Sequence, residues 1–469
     1  MSRIKILLDK LLERGGQYTS WKNNHEIELA LSGESDLDIF VPLKYKSLFL
    51  ELAKDDNWIP VKNPIADYPD IYHFYSINES LKVFHLHVYF KVITGESWLK
   101  EYIFPIDDFL IENSVCHSSG IYILNNKAQS FLFVLRHFTK GKSFFSRILY
   151  KKELDSYKEE WELCKSGFDP LSQPEIIDFS PYFSGSGLDN QFDLPDSKTA
   201  KMVRIRLKSY LRLPESKLTQ LRLNSLKERL LNKLVYKRKK ILPVQGFILV
   251  FSGADGVGKS TMSETIGNAY KTFLTVKNVQ LGRPQSAGIE AVRKLLNRKK
   301  KESSGAAVKS ESKDKKITLK RALSATYLAY LRYKTAERAK KYRQKNYLVI
   351  SDRWPTLEYH KMDGPKLSAE KLNGLYRKLA LLEKKYYDKL ISSDLSIILT
   401  VPTDVAVQRN RERIKEGKET DQEIMERHLQ NAHHNPKSKE IIRFDNNGEL
   451  NYKRFELIKL IQDKLYQGT

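Results

Sequence analysis

The apolar positions change rhythm along the chain. Up to about residue 145, helical and strand signals alternate. Leu37 to Val41 (LDIFV) predicts a strand, and Leu81 to Val92 (LKVFHLHVYFKV) alternates at period two, as a longer strand does. From about 146 to 243 the pattern loosens. Ser184-Gly185-Ser186-Gly187 is a flexible stretch, Lys201 to Leu234 is basic and helical in character, and Lys237-Arg238-Lys239-Lys240 closes the region before Pro243. A solvated helical linker fits this composition, and a polyanion-binding arm is the alternative. From Gln245 the pattern becomes β-α-β. The apolar runs Gly246–Phe251, Tyr347–Ile350, Leu395–Val401 and Lys277–Leu281, separated by helical stretches, predict a parallel sheet buried on both faces. Arg298 to Lys316 is Lys/Ser-rich and predicts a mobile loop. The expected organisation is an α+β domain over 1–145, a partly helical basic connector over 146–243, and an α/β domain over 244–469, a parallel sheet flanked by helices, with a mobile loop near 298–316.

The strand at 246–251 runs directly into Ser252-Gly253-Ala254-Asp255-Gly256-Val257-Gly258-Lys259-Ser260-Thr261, a complete G-x-x-x-x-G-K-[ST] phosphate loop. Glycines let the backbone curl so that successive N–H groups point at phosphate oxygens, and the following helix offers its positive end to the same anion. Gly253, Asp255, Gly256, Val257, Gly258, Lys259, Ser260 and Thr261 are therefore the candidate ATP-binding residues. Lys259 is expected to reach the β- and γ-phosphates, and the Ser260 hydroxyl to ligate Mg²⁺.

Three further stretches narrow the chemistry. Ser351-Asp352-Arg353-Trp354 follows a strand, which puts a carboxylate on the sheet edge where ligands bind. Asp352 is the candidate Mg²⁺ ligand and Arg353 a candidate phosphoryl clamp. Leu281-Gly282-Arg283-Pro284 ends another strand, with Arg283 placed to meet an acceptor phosphate, or simply forms a turn. Val405 to Lys418 carries Arg409, Arg411 and Arg413. On a helix Arg409 and Arg413 share a face, either as a lid that brings charge to the transition state or as a solvated surface.

In this order, Gly253–Thr261, Arg283-Pro284, Asp352-Arg353-Trp354 and the three arginines resemble the thymidylate kinase family over about 246 to 430. The resemblance implies Lys259, Asp352, Arg353, Arg409 and Arg413 as catalytic residues. It also implies a substrate side that includes Asp255, Arg283 and Trp354, with Asp255 facing the acceptor's sugar hydroxyl. Gly282-Arg283-Pro284-Gln285-Ser286 departs from the family's Arg-Glu-Pro-Gly-Gly turn. Glu358 to Pro365 resembles instead larger bacterial thymidylate-kinase-like proteins with an extra N-terminal domain. The expected function is an ATP- and Mg²⁺-dependent phosphotransferase, like a nucleoside monophosphate kinase, acting on a nucleotide or small phosphorylated metabolite. The alternatives are a P-loop ATPase, or a bifunctional kinase and nucleotidyltransferase linked to nucleic acid or to surface-polysaccharide precursors.

Near the N-terminus, Asp36 and Asp38 are two apart on a predicted strand and project from one face, where they could hold a divalent cation. The S-D-x-D-hydrophobic pattern, with Trp21-Lys22 upstream and His85 to Glu96 downstream, resembles the polymerase-β type of nucleotidyltransferase fold. Gly33 lies only three residues ahead of the pair, and the later strand offers His85 and His87 in place of a third carboxylate. An active transferase, a domain that binds nucleotide or metal without transfer, and a chance Asp-x-Asp all remain open on the residues alone.

Composition adds limits. Of 469 residues, 81 are Lys or Arg and 57 Asp or Glu, a net +24 that permits nucleic-acid or anionic-surface binding without favouring it. Cys116 and Cys164 sit in no Cys-x-x-Cys or Cys/His pattern, so the cysteines suggest neither zinc nor a disulfide framework, as a reducing cytoplasm would fit. No apolar run of membrane-spanning length occurs, and the charged first ten residues do not form a signal peptide. A homodimer is compatible with all of this.

Overall fold

The computed structural model describes residues 2–97, 99–140, 154–169, 176–179, 197–254, 256–282, 317–412, 421–422, 425–426 and 434–467. Asp255, Arg283, Arg413, Ser184–Gly187 and the stretch 298–316 lie outside the described residues. The chain forms two compact units. Unit 1 is Met1–Pro243 with Thr272–Leu274 and Phe455–Thr469; unit 2 is Val244–Lys271 with Thr275–Arg454.

Unit 1 opens with α1 (Arg3–Glu13), whose Ile4, Leu7, Leu8 and Leu11 recur at helical spacing and are fully buried. There follow β1 (Thr19–Ser20), α2 (Ile27–Ser32), β2 (Asp36–Phe40), α3 (Lys46–Asp55), β3 (Ile59–Val61), β4 (Ile71–Ile77) and β5 (Val83–Tyr89). A small ribbon, β6 (Val92–Thr94) with β7 (Tyr102–Phe104), precedes α4 (Asp107–Glu112), β8 (Ser114–Cys116) and β9 (Tyr122–Leu124). The seven-stranded sheet runs β3-β4-β5-β2-β1-β9-β8, with β2 and β5 parallel. Because side chains alternate across a strand, each strand serves two environments. Leu37, Ile39, Phe74, Leu86 and Val88 pack against α1, α2 and α3, while Asp36, Asp38, His73, His85 and His87 take the opposite face. A second core gathers α5 (Asn126–Lys140), α6 (Leu154–Cys164) and α7 (Ser197–Arg206) around Phe131, Trp161 and Val203. Within the stretch from Lys201 to Leu234, α7 ends and α8 (Glu215–Leu231) begins after Pro214, whose fixed φ suits a helix entry.

Unit 2 contains β10 (Phe247–Ser252), α9 (Lys259–Lys271), β11 (Val276–Val279), α10 (Leu319–Gln344), β12 (Leu348–Ser351), α11 (Gly374–Asp388), β13 (Ser393–Thr400), α12 (Thr403–Glu412) and β14 (Ser438–Asp445). The five strands are all parallel in the order β11-β12-β10-β13-β14. Ile248, Leu249, Val250 and Phe251 of the central strand are wholly buried, each worth roughly 1.5–3 kcal/mol over an exposed position. In α10, small residues recur at Ala322, Thr326, Ala329, Ala336 and Ala339, which lets the backbone of α11 come close; Thr326 Oγ1 donates to Leu379 O across that seam at 3.2 Å. The last helix, α13 (Leu450–Gln467), returns the chain to unit 1, where Tyr466 OH donates to Leu50 O of α3 at 3.0 Å.

Candidate functional site

The phosphate-loop segment sits between β10 and α9. Two glycines show why this loop excludes other residues. Gly256 has φ +86° and a Cβ there would come 2.7 Å from Ala406 O; Gly258 has φ +90° and its Cβ would come 2.7 Å from Asn446 Nδ2. Lys259 opens α9, and its Nζ donates to Ala254 O at 2.6 Å, so the side chain lies folded back over the loop. Ser260 and Thr261 are exposed.

Asp352 leaves the end of β12, the strand beside β10. Its Oδ1 is buried with no hydrogen-bond partner among the described residues. Burial raises its pKa above the ordinary carboxylate range, Asp363 adds to that, and the charges on Arg353 and Lys259 oppose it. The carboxylate and the loop lysine are thus near enough to act on one another. Arg353 lies 3.8 Å from Asp363 Oδ2. Trp354 is turned inward: it is fully buried in the core, and its Nε1 donates to Ile391 O at 3.2 Å. In this structure it packs behind the site instead of presenting its ring to a ligand.

The segment after Asp-Arg-Trp is held from below. Arg332, on the buried face of α10, pairs with Asp363 Oδ1 at 2.6 Å and donates to Asp363 O, Leu281 O, Gly282 O and Tyr387 OH. One guanidinium therefore pins both the chain that follows β11 and the turn at Asp363, whose φ is +60°. Glu383 of α11 accepts from Lys366 N and Leu367 N at 3.0 and 2.8 Å. Burial raises its pKa against those two bonds. His434 is 2% exposed and neither ring nitrogen has a partner among the described residues; burial lowers its pKa, while Asp363 and Glu358 oppose.

On the other side of β10, Asn446 ties the loop to the end of β14. Its Nδ2 donates to Val257 O at 2.8 Å, its N donates to Thr400 O, and its O accepts from Arg409 Nη2 at 3.2 Å. Arg409 thus lies at the loop's flank. Arg411 pairs with Asp421 at the surface. Arg332, Glu383, His434 and Asn446 carry no local motif and were not foreseen. The only sequence signals are an arginine placed on the small-residue face of an alanine-rich helix and an Asp-Asn-Asn-Gly turn.

In unit 1 the register of three strands lines up a second polar cluster. Asp36 faces His85 and Asp38 faces His87 across β2 and β5; His87 in turn faces His73, and His85 faces Tyr75, across β5 and β4. Asp38 is 3% exposed, and its Oδ1 lies 2.8 Å from Lys22 Nζ and 2.8 Å from His87 Nδ1. Burial acts to raise the Asp38 pKa, but Lys22 and His87 outweigh it and hold the carboxyl well below its usual range. Burial lowers Lys22, yet Asp38 and Tyr89 outweigh it and raise the ammonium. Burial pushes His87 down to about 4 despite Asp38, and drives His73 and His85 well below the ordinary imidazole value. Lys22 Nζ also donates to Tyr89 OH, where Lys100 Nζ arrives from another side.

No protein-family model matches the chain, and no curated protein matches it. Among solved structures, the crystal structure of thymidylate kinase from Ehrlichia chaffeensis is similar, covering 46% of this chain and 98% of its own, at 17% identity and a TM-score of 0.26. No helix among the described residues is long and apolar enough to cross a membrane.

Proposed function

We propose that unit 2 is an ATP- and Mg²⁺-dependent phosphotransferase whose acceptor is a nucleotide or a small phosphorylated metabolite. The observation that carries this reading is the pairing, at one edge of a parallel sheet, of a phosphate loop on the central strand with Asp352 on the next, one of whose carboxylate oxygens is buried with no hydrogen-bond partner among the described residues. From β10 the chain builds β11 and β12 to one side and then β13 and β14 to the other, so the strand order reverses at β10, and ligands of such sheets bind at the carboxyl end of the strand where it does. The donor set suits a triphosphate with its metal: a glycine cradle closed to any Cβ, a lysine at the start of a helix, an exposed serine hydroxyl and a buried unsatisfied carboxylate oxygen. Lys259 would exchange Ala254 O for phosphate oxygens, and Ser260 and Asp352 would hold Mg²⁺. The bound ion neutralises charge on the transferring group. Arg353, fixed beside Asp363, would face the acceptor, and Arg409 would supply charge from the loop's flank. Asp255, Arg283 and Arg413, outside the described residues, remain candidates by their sequence motifs alone.

The test is ADP release by the full chain with ATP and Mg²⁺ across a panel of nucleoside monophosphates and sugar phosphates. At least one acceptor is expected to stimulate turnover, and Lys259→Ala to abolish it. No stimulation by any acceptor, or stimulation that survives Lys259→Ala, would refute the proposal.

A further inference from the structure

The polar face of the unit 1 sheet has a composition that carboxylate pairs alone do not provide. Asp36, Asp38 and His87 each offer a ligand atom, and those atoms all lie within 4.8 Å of one another. Two come from neighbouring residues of one face of β2 and the third from the parallel β5 in direct register, so the backbone fixes the triad and no loop is needed to assemble it. Asp38 Oδ1 and His87 Nδ1 are 2.8 Å apart. Two ligands at ~2.1 Å from one ion and at the tetrahedral angle stand about 3.4 Å from each other. The pair, held 2.8 Å apart as an ion pair, needs to open by only about 0.6 Å to take an ion between them.

We propose that Asp36, Asp38 and His87 form a binding site for a divalent transition metal of the zinc type, distinct from the Mg²⁺ of the phosphate loop. The imidazole decides the class of ion. Mg²⁺ takes oxygen ligands and keeps its waters, whereas an imidazole with carboxylates suits zinc, cobalt or nickel. Three protein ligands leave further coordination positions for water or a substrate. A supporting layer is present as well. His85 Nδ1 lies 3.7 Å from Asp36 Oδ2, His73 Nδ1 lies 3.0 Å from His85 Nε2, and the His73 ring stacks on His87 at 4.1 Å between centroids. Such outer partners orient metal ligands. The focus for positive charge is visible in Lys22, whose ammonium stands at Asp38 Oδ1 and is itself held by Tyr89. A metal there competes with that ammonium, so Lys22 sets how tightly the ion binds. The cysteines, where zinc is usually sought, play no part.

The experiment is calorimetric titration of the chelator-treated full chain, free of nucleotide, with Zn²⁺ and with Mg²⁺, together with the visible absorption of bound Co²⁺, which reports the coordination number and geometry of the site. One Zn²⁺ per chain is expected, bound at least about tenfold tighter than Mg²⁺, with the Co²⁺ spectrum lost in His87→Gln. Asp36→Asn, at a position that is 39% exposed and tolerant of change, should weaken Zn²⁺ at least tenfold. Lys22→Met should tighten it, and His87→Asp should shift preference toward Mg²⁺. Zn²⁺ binding unchanged in both Asp36→Asn and His87→Gln, or Mg²⁺ binding as tightly as Zn²⁺ to the unaltered chain, overturns the proposal. Circular dichroism melts of each variant separate a lost ligand from a lost fold.

Discussion

Replacing Arg332 by methionine tests the claim that one buried guanidinium holds together the chain that follows β11 and the turn at Asp363. Methionine keeps much of the side-chain volume and suits a helix, so the change is chiefly one of charge and hydrogen bonding. Arg332 is 4% exposed and Asp363 7%. Breaking such a pair strands a buried carboxylate, which typically costs 3–5 kcal/mol. The carbonyls of Leu281, Gly282 and Asp363 lose a donor in the same step, so Arg332→Met is expected at the upper end, about 4–5 kcal/mol. Removing the charge as well, in Arg332→Met/Asp363→Asn, should recover part of that loss, because the uncompensated charge is gone; a double-mutant cycle reads the coupling. The assay is urea unfolding followed by tryptophan fluorescence. Trp354 is the one tryptophan between Val244 and Arg454, it is fully buried in the core of unit 2, and a Trp354→Phe background identifies its share of the signal. A loss below about 1 kcal/mol, or losses that simply add in the double variant, would refute the reasoning.

Further expectations concern the same unit. Asp352→Asn should leave the fold intact while removing most of the thermal stabilisation by Mg²⁺ with ATP, about 2.7 kcal/mol at a hundredfold excess over Kd; full stabilisation in a melt would exclude Asp352 as a metal ligand. Gly256→Ala should cost about 1–2 kcal/mol from left-handed backbone alone and push Ala406 away, weakening ATP in a titration; an unaltered Kd would contradict the cradle. Glu383→Gln keeps an acceptor for Lys366 N and Leu367 N but removes a charge that burial disfavours. With its folded pKa raised, Glu383 binds its proton more readily folded than unfolded, so its penalty is present at neutral pH and vanishes as pH falls through the carboxylate range. The variant should therefore melt higher than the parent at pH 7–8 and alike near pH 4; a lower melting point at pH 8 would reverse the assignment.

How much could be read in advance depended on sequence distance. The phosphate loop and the Asp36/Asp38 pair were legible because their residues are contiguous and their periodicity states the strand beneath them. The apolar runs of β10, β12 and β13 were legible because both faces are buried. The strand β14 was not, since an edge strand needs little burial and Ser438–Asp445 has only three apolar residues in eight. Asn446 reaches Val257 across 189 positions, and Arg332 reaches Leu281 across 51; no local pattern announces either. The histidines of β5 were seen as a departure from a carboxylate pattern, but only the strand register placed His87 opposite Asp38 and His73 opposite His87.

Tyr466 bonds to Leu50, so the first unit to be synthesised is among the last to be finished. About 210 residues of unit 2 must emerge between Pro243 and Phe455, which at ~5–20 residues per second takes roughly 10–40 s. During that interval Leu457, Ile458, Ile461 and Leu465, all buried in the finished protein, have yet to join the rest of unit 1. Unit 1 of the nascent chain thus stays incomplete until α13 has been made.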